Sequence, residues 1–440
     1  MASRLERPLP LALALVAVGS ASAQVPPRRV SLAGPAPRTA ARSADLDDGT
    51  AVPEGVRSVR VERDGEVIRA QPDSESARRG TAGRGARLPA LEATQGRGCR
   101  GVWVRVATDA WLCGDGVALT SDAPAATAQP VVPAGQVVPF QYAFATHAGV
   151  RTYRRLDDVP DENWAEELER GMSVAVTGTA RIDQGTFAHT AGGRWVAMRD
   201  LAWARPSERA GVFFDPGETV ERVAMLRANA RAWPTPEGAV FSRGGSRGAV
   251  ELSRRDFVHV REEVSLRGRA VVRTDAGWIV ASLLTRMEAP PAPANLGARE
   301  RWVDVDRRRQ TLLAFEGTRP VFATLVSTGR AGNETAVGEH RVWSKLAASD
   351  MSNADDAEVS SATALYTVSR VPWVMFFHGD QALHGVFWHD QFGRARSHGC
   401  VNLAPRDAAW LFDWAPPHLP PGWTAVIPTP REPGLRVRVR

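Results

Sequence analysis

The chain has 440 residues, room for two to four domains at roughly 100–200 residues each, so a single small module is excluded. Hydrophobic residues make up 43% and charged residues 24%, a globular balance that excludes wholesale disorder, while 31 prolines and 39 glycines require many turns. Fifty-five basic against 49 acidic residues leave a net charge of +6, and every basic residue except Lys345 is an arginine. The arginines are scattered among acids and accompany no nucleic-acid-binding motif, so the charge points to no nucleic-acid partner.

Residues 1–23 have a charged start, an apolar run Leu9–Val18 and an Ala21-Ser22-Ala23 end, the pattern of a secretory signal peptide. The run is too short to span a bilayer stably, so the expectation is export to the periplasm or cell envelope without stable membrane insertion. Residues 24–94 are rich in Arg, Ala, Pro and Gly and poor in aromatics, and are expected to be a disordered spacer. Three cysteines follow. Cys99 and Cys113 bracket a short segment and are expected to form a disulfide in an oxidising compartment, with two buried thiols as the alternative. Cys400 is left over as a free thiol.

From residue 95 the texture changes to short alternating runs, the signature of strands. Gly101–Val106, Gly193–Met198 and Gly277–Ser282 share a glycine-tryptophan-β pattern around Trp103, Trp195 and Trp278. They resemble bacterial SH3-like barrels, which implies β-rich modules over 95–206 and 207–287 that could contact glycan strands. One helix is expected over Glu162–Gly171, with Trp164, Leu168 and Met172 at helical spacing. Residues 288–299, opening Glu288-Ala-Pro-Pro-Ala-Pro, read as a hinge. Beyond it, runs at Arg301–Val305, Gln310–Phe315 and Arg319–Ser327 predict an antiparallel meander, followed by β-runs at His340–Leu346, Ala364–Val368 and Val371–Phe377. Ala347–Ser361, small and polar, is expected to be a flap. Pro405 predicts the start of a helix running to Trp414, and 429–440 reads as a tail.

The chemistry concentrates between His378 and Leu403: His378, His384-Gly385, Trp388-His389, and Ser397-His398-Gly399-Cys400-Val401-Asn402. A nucleophilic thiol needs an imidazole to take its proton and donors for the oxyanion. Gly399 lets the chain bend so that successive N–H groups can face one point.

These residues resemble the L,D-transpeptidase catalytic domains of bacterial cell-wall enzymes: a His-Gly pair, a spacer, then Ser/Thr-His-Gly-Cys, a hydrophobic residue and Asn or Arg. Ser327-Thr-Gly-Arg330 and Glu334–His340 look like two further family segments, with Ala336 where proline is usual and His340 where an aromatic is common. The resemblance covers 300–428 and implies a mainly β protein, a β-sandwich-like catalytic domain preceded by the SH3-like modules. It implies Cys400 as nucleophile, His384 as general base oriented by the Gly385 carbonyl, and the N–H groups of Gly399 and Cys400, with His398, as oxyanion donors. Ser397 and His398 would shape the turn, Asn402 the loop, and Trp388, His389 and His378 the substrate pocket. The partner implied is a peptidoglycan stem peptide, with no cofactor and no metal, since the histidine spacing fits no zinc motif. Cys400 would attack the third residue of a tetrapeptide stem, release D-alanine and pass the acyl group to an amine. Water as acceptor would make an L,D-carboxypeptidase, a protein amine an anchoring transpeptidase, and a silent catalytic domain a wall-binding protein.

Overall fold

The computed structural model describes residues 52–126, 129–241, 248–352 and 367–440. The expected signal peptide and residues 353–361 of the expected flap lie outside these. The protein is mainly β, and no helix among the described residues is long and apolar enough to cross a membrane.

The meander expected after the hinge is present. Strands Arg301–Asp306, Thr311–Glu316 and Arg319–Ser327 pair antiparallel in sequence order. The sheet continues through Val401–Leu403, Gln381–Gly385, Thr367–His378, Ser344–Ser352 and Trp423–Val426. From Thr367 on, the first described residue of the runs expected at Ala364–Val368 and Val371–Phe377, the two are one long strand, and residues 347–352 of the expected flap are strand as well. Helix Pro405–Trp414 begins at its proline, whose missing N–H is an unpaired group at that position anyway. It buries Ala408, Leu411 and Phe412 against Val305, Phe322, Met375, Leu383 and Leu403. At its C-terminal end the buried Lys345 Nζ donates to the carbonyls of Phe412 and Ala415 at 2.6 and 2.5 Å, satisfying acceptors that a helix end leaves open.

Three expectations are corrected. The tail is not a tail: Arg436–Val439 is a strand lying parallel to Arg301–Asp306. Its alternation sends Val437 and Val439 into the core and Arg438 onto the buried Asp304 carboxylate. The spacer is folded over its described part, where Ser58–Val61, Glu66–Arg69, Arg78–Ala82, Arg87–Pro89 and Glu92–Thr94 are strands. Lacking aromatics of their own, these strands complete a core with Trp423 and Val426 of the C-terminal sheet, and Arg78–Ala82 pairs directly with Trp423–Val426. The expected helix over 162–171 is extended chain with a strand Glu166–Leu168 paired to Val150–Thr152. Glu162 there has φ +52°, outside the helical region, and Trp164 lies under Arg151, 4.0 Å from its guanidinium carbon. The segment expected as a hinge contains no helix or strand, and Arg436 and Arg438 donate to its Ala294 and Pro291 carbonyls.

Cys99 and Cys113 are joined in a disulfide. The upstream β-modules comprise a seven-stranded antiparallel sheet within 141–203 and small sheets within 223–286. Trp195 and Trp278 each lie in the first strand of a strand, 3-10 turn, strand sequence. A short helix, Pro236–Phe241, was not anticipated.

Candidate active site

Strands Gln381–Gly385 and Val401–Leu403 run parallel, with Leu383 opposite Val401 and His384 opposite Asn402. Extending that register by one residue sets Cys400 beside Ala382. Because side chains alternate along a strand, Ala382, His384, Cys400 and Asn402 share one face. The Ala382 N–H donates to Cys400 Sγ at 3.4 Å, and the thiol donates to the Asp380 carbonyl at 3.8 Å. Cys400 is half-buried among Phe376, Ala382 and Trp388. Burial pushes its thiol up to about 11, against the Ala382 N–H and with the Asp380 charge adding to the rise.

His384 is buried and its Nδ1 lies 3.2 Å from the Gly385 carbonyl, an acceptor only, so Nδ1 carries the proton and Nε2 is the basic atom. Burial lowers its imidazole to about 4 despite the Gly385 carbonyl, and His389 adds to the fall. Gly385 is packed tightly: a Cβ there would lie 2.9 Å from the Trp373 ring and 3.2 Å from Ala408. Trp388 stacks on the His384 ring with centroids 5.9 Å apart.

The Ser397–Cys400 turn is closed by Ser397. Its hydroxyl donates to the Cys400 carbonyl at 2.5 Å and accepts from the Gly399 N–H at 3.2 Å. The Gly399 N–H, expected as an oxyanion donor, is thus engaged inside the turn. Gly399 itself has φ +119°, and a Cβ would come within 2.8 Å of the Gln381 side chain. The Ser327–Arg330 turn holds the other side: the N–H groups of Arg396 and Ser397 donate to the Thr328 carbonyl, and the Arg330 guanidinium donates to His398 Nε2 at 2.8 Å.

His389 accepts the Gln391 N–H on Nδ1, and its Nε2 lies 3.2 Å from Asn402 Nδ2. Burial, with Arg396 nearby, lowers His389 to about 4 as well. His378 sits exposed at the end of its strand with its ring against His340, centroids 4.8 Å apart. Two site-building residues were missed. Thr335 accepts the Gly329 N–H and donates to the Gly399 carbonyl, and Gln381 receives the Ala336 N–H at 2.9 Å while donating to the Glu334 carbonyl. Thr335 lay within a segment already singled out, whereas nothing local marked Gln381.

A half-buried thiol and a buried imidazole thus share one face of this sheet. Residues 300–437 match the family model YkuD, the L,D-transpeptidase catalytic domain. Similar solved structures are L,D-transpeptidases. The one from Stackebrandtia nassauensis is 24% identical over 34% of this chain and 58% of its own, TM-score 0.23. The one from Mycobacterium smegmatis is 16% identical over 55% and 89%, TM-score 0.27, and that from Xylanimonas cellulosilytica 23% identical over 34% and 64%, TM-score 0.23. This chain thus spans a little over half of the S. nassauensis structure. No curated protein matches the chain.

Proposed function

We propose that this protein is a peptidoglycan L,D-transpeptidase, exported to the cell envelope, with Cys400 as nucleophile and His384 as general base. The observation that carries the reading is the shared sheet face of Cys400 and His384, with His384 Nδ1 turned to the Gly385 carbonyl and Nε2 therefore basic. As Cys400 Sγ attacks the carbonyl carbon of the third residue of a tetrapeptide stem, its proton passes to His384 Nε2. The resulting oxyanion takes a hydrogen bond from the Cys400 N–H, since the Gly399 N–H serves the turn. Collapse breaks the C–N bond, the proton moves from His384 to the leaving amine, and D-alanine departs. The amine of a second stem then attacks the thioester, giving up its proton through His384 to the departing Sγ. Ser397 and His398 keep the turn in shape, Asn402 and His389 brace the loop, and Trp388 and His378 line the approach. The β-modules, read as SH3-like, contact the glycan strands.

The test is mass spectrometry of products from a purified disaccharide-tetrapeptide, with Cys400→Ala as control. A Cys400-dependent dimer lacking one D-alanine is expected. A tripeptide monomer instead would make water the acceptor, and absence of both turnover and a Cys400 adduct would overturn the reading. His384→Ala is expected to slow thioester formation by about 10²–10⁴-fold.

A further inference from the structure

The segment 386–396 joins His384-Gly385 to the nucleophile turn and contains no helix or strand. Yet Trp388 lies on the His384 ring and His389 meets the Asn402 amide. A segment with so few ladder bonds keeps one conformation only if something outside holds it. Its own domain supplies the Val326 carbonyl to the Gly393 N–H and the Ser327 hydroxyl to the Gln391 carbonyl. Further bonds come from the upstream β-modules. Ser207 Oγ donates to Asp390 Oδ1 at 2.5 Å, with Arg209 Nε 3.5 Å from the same oxygen. Tyr142 stacks on Phe387, centroids 3.6 Å apart and planes 10° from parallel. Arg255 donates through both terminal nitrogens, to the Phe392 carbonyl at 2.7 Å and the Gly393 carbonyl at 2.8 Å.

Arg255 is unusual on three counts. Its backbone has φ +73°, a conformation that arginine rarely adopts. Among the described residues no carboxylate lies within ion-pair distance of it: the adjacent Asp256 pairs with Arg209 instead, and Arg254, Arg394 and Arg209 add positive charge around it. A Cβ on Gly393 would lie 2.8 Å from its guanidinium carbon, so the close approach depends on a glycine there. Backbone strain, an unneutralised guanidinium and a matching glycine converge on one contact.

We infer that Arg255 is a positioning residue for the Cys400–His384 pair: its guanidinium fork, reaching from an upstream β-module onto the Phe392 and Gly393 carbonyls, fixes the segment that holds Trp388 and His389 in the site. The inference rests on the reading of Cys400 as nucleophile, and it gives the second β-module a role in the chemistry itself. Arg255 touches neither nucleophile nor base, so its loss acts on the acylation rate through geometry and leaves ground-state binding of the stem largely intact.

The test compares full-length wild type, Arg255→Ala and Arg255→Lys in single-turnover acylation by the disaccharide-tetrapeptide, with hydrogen exchange of residues 386–396 read alongside. Arg255→Ala is expected to lower the acylation rate about 10–100-fold with little change in KM and an unchanged melting temperature, and to speed exchange in 386–396. Arg255→Lys, which keeps a donor at the same reach, is expected to recover part of the rate. Wild-type rate and wild-type exchange in Arg255→Ala would overturn the inference, as would a loss of rate that only follows a loss of folded protein. If Arg255→Ala fails to fold, Ser207→Ala, which removes the bond to Asp390, decides: a slower acylation supports the brace, and an unchanged one refutes it. If wild type forms no acyl adduct, the Cys400 reading is what fails, and the exchange measurement still reports whether Arg255 holds the segment.

Discussion

Burial raises the thiol of Cys400 and lowers the imidazole of His384, so the resting pair is a neutral thiol beside a neutral base. Proton transfer then belongs to the attack on substrate and not to the free protein. Alkylation by iodoacetamide, which consumes the thiolate, checks this directly because Cys99 and Cys113 are tied up in their disulfide. The rate at Cys400 is expected to keep rising with pH towards about 11, past the range near 8.5 where an unperturbed thiol levels off. A rate already flat at neutral pH would show a thiolate–imidazolium pair instead. Ala336 shows the same dependence on single atoms. It stands where the related segment usually carries proline, and its N–H, which proline would lack, donates to Gln381, the residue against which Gly399 packs. His340, standing where an aromatic is common, donates from Nε2 to the Ala336 carbonyl at 3.2 Å. The two departures from the pattern are thus joined by a hydrogen bond next to the nucleophile turn.

Helix Pro405–Trp414 links the site to the upstream chain through Asp407, which accepts the Gly211 N–H at 2.8 Å and the Thr324 hydroxyl. Burial raises this carboxyl to about 6, against those two donors. A carboxyl raised on folding favours the folded state while it is protonated, so the contribution is complete below its unfolded value near 4 and is lost as pH rises through about 6. Relative to Asp407→Asn, the wild type is therefore expected to lose roughly 2–3 kcal/mol of stability between pH 4 and pH 7. Urea unfolding of both proteins at the two pH values measures it, and parallel profiles would refute it. At this scale the sequence is readable where partners are local. The meander and the proline-started helix follow from runs and caps a few residues long, and the nucleophile turn from four contiguous residues. Arg436–Val439 escaped because its alternation acquires meaning only beside Asp304, 134 residues away from Arg438. Gln381 and Arg255 escaped for the same reason, since their partners lie across the sheet and in another module.

The whole molecule is built so that the C-terminal sheet does not end at its own domain. Strand Arg78–Ala82 extends it past Trp423–Val426, and Val212–Phe213 pairs along Arg319–Ser327. Gly80 lies so close that a Cβ would sit 2.1 Å from the Ala425 carbonyl. This close approach over Trp423 accounts for how an aromatic-poor segment folds: Val59, Ile68, Leu88 and Leu112 share a core with that tryptophan. A fragment of residues 300–440 would leave Trp423 and Val426, now buried, facing water together with an unpaired strand edge, a template for self-association. It would also lose the Ser207, Arg209 and Arg255 contacts to the segment 386–396. Exposing those two side chains alone costs about 3–5 kcal/mol, a large part of the stability of a domain this size. The fragment is therefore expected to aggregate or to melt well below the chain beginning at residue 52, and to acylate more slowly in whatever fraction stays folded. Differential scanning calorimetry and light scattering on the two proteins separate the outcomes. A fragment that stays monomeric and melts at the same temperature would mean that the added strands lie on the catalytic sheet without supporting it.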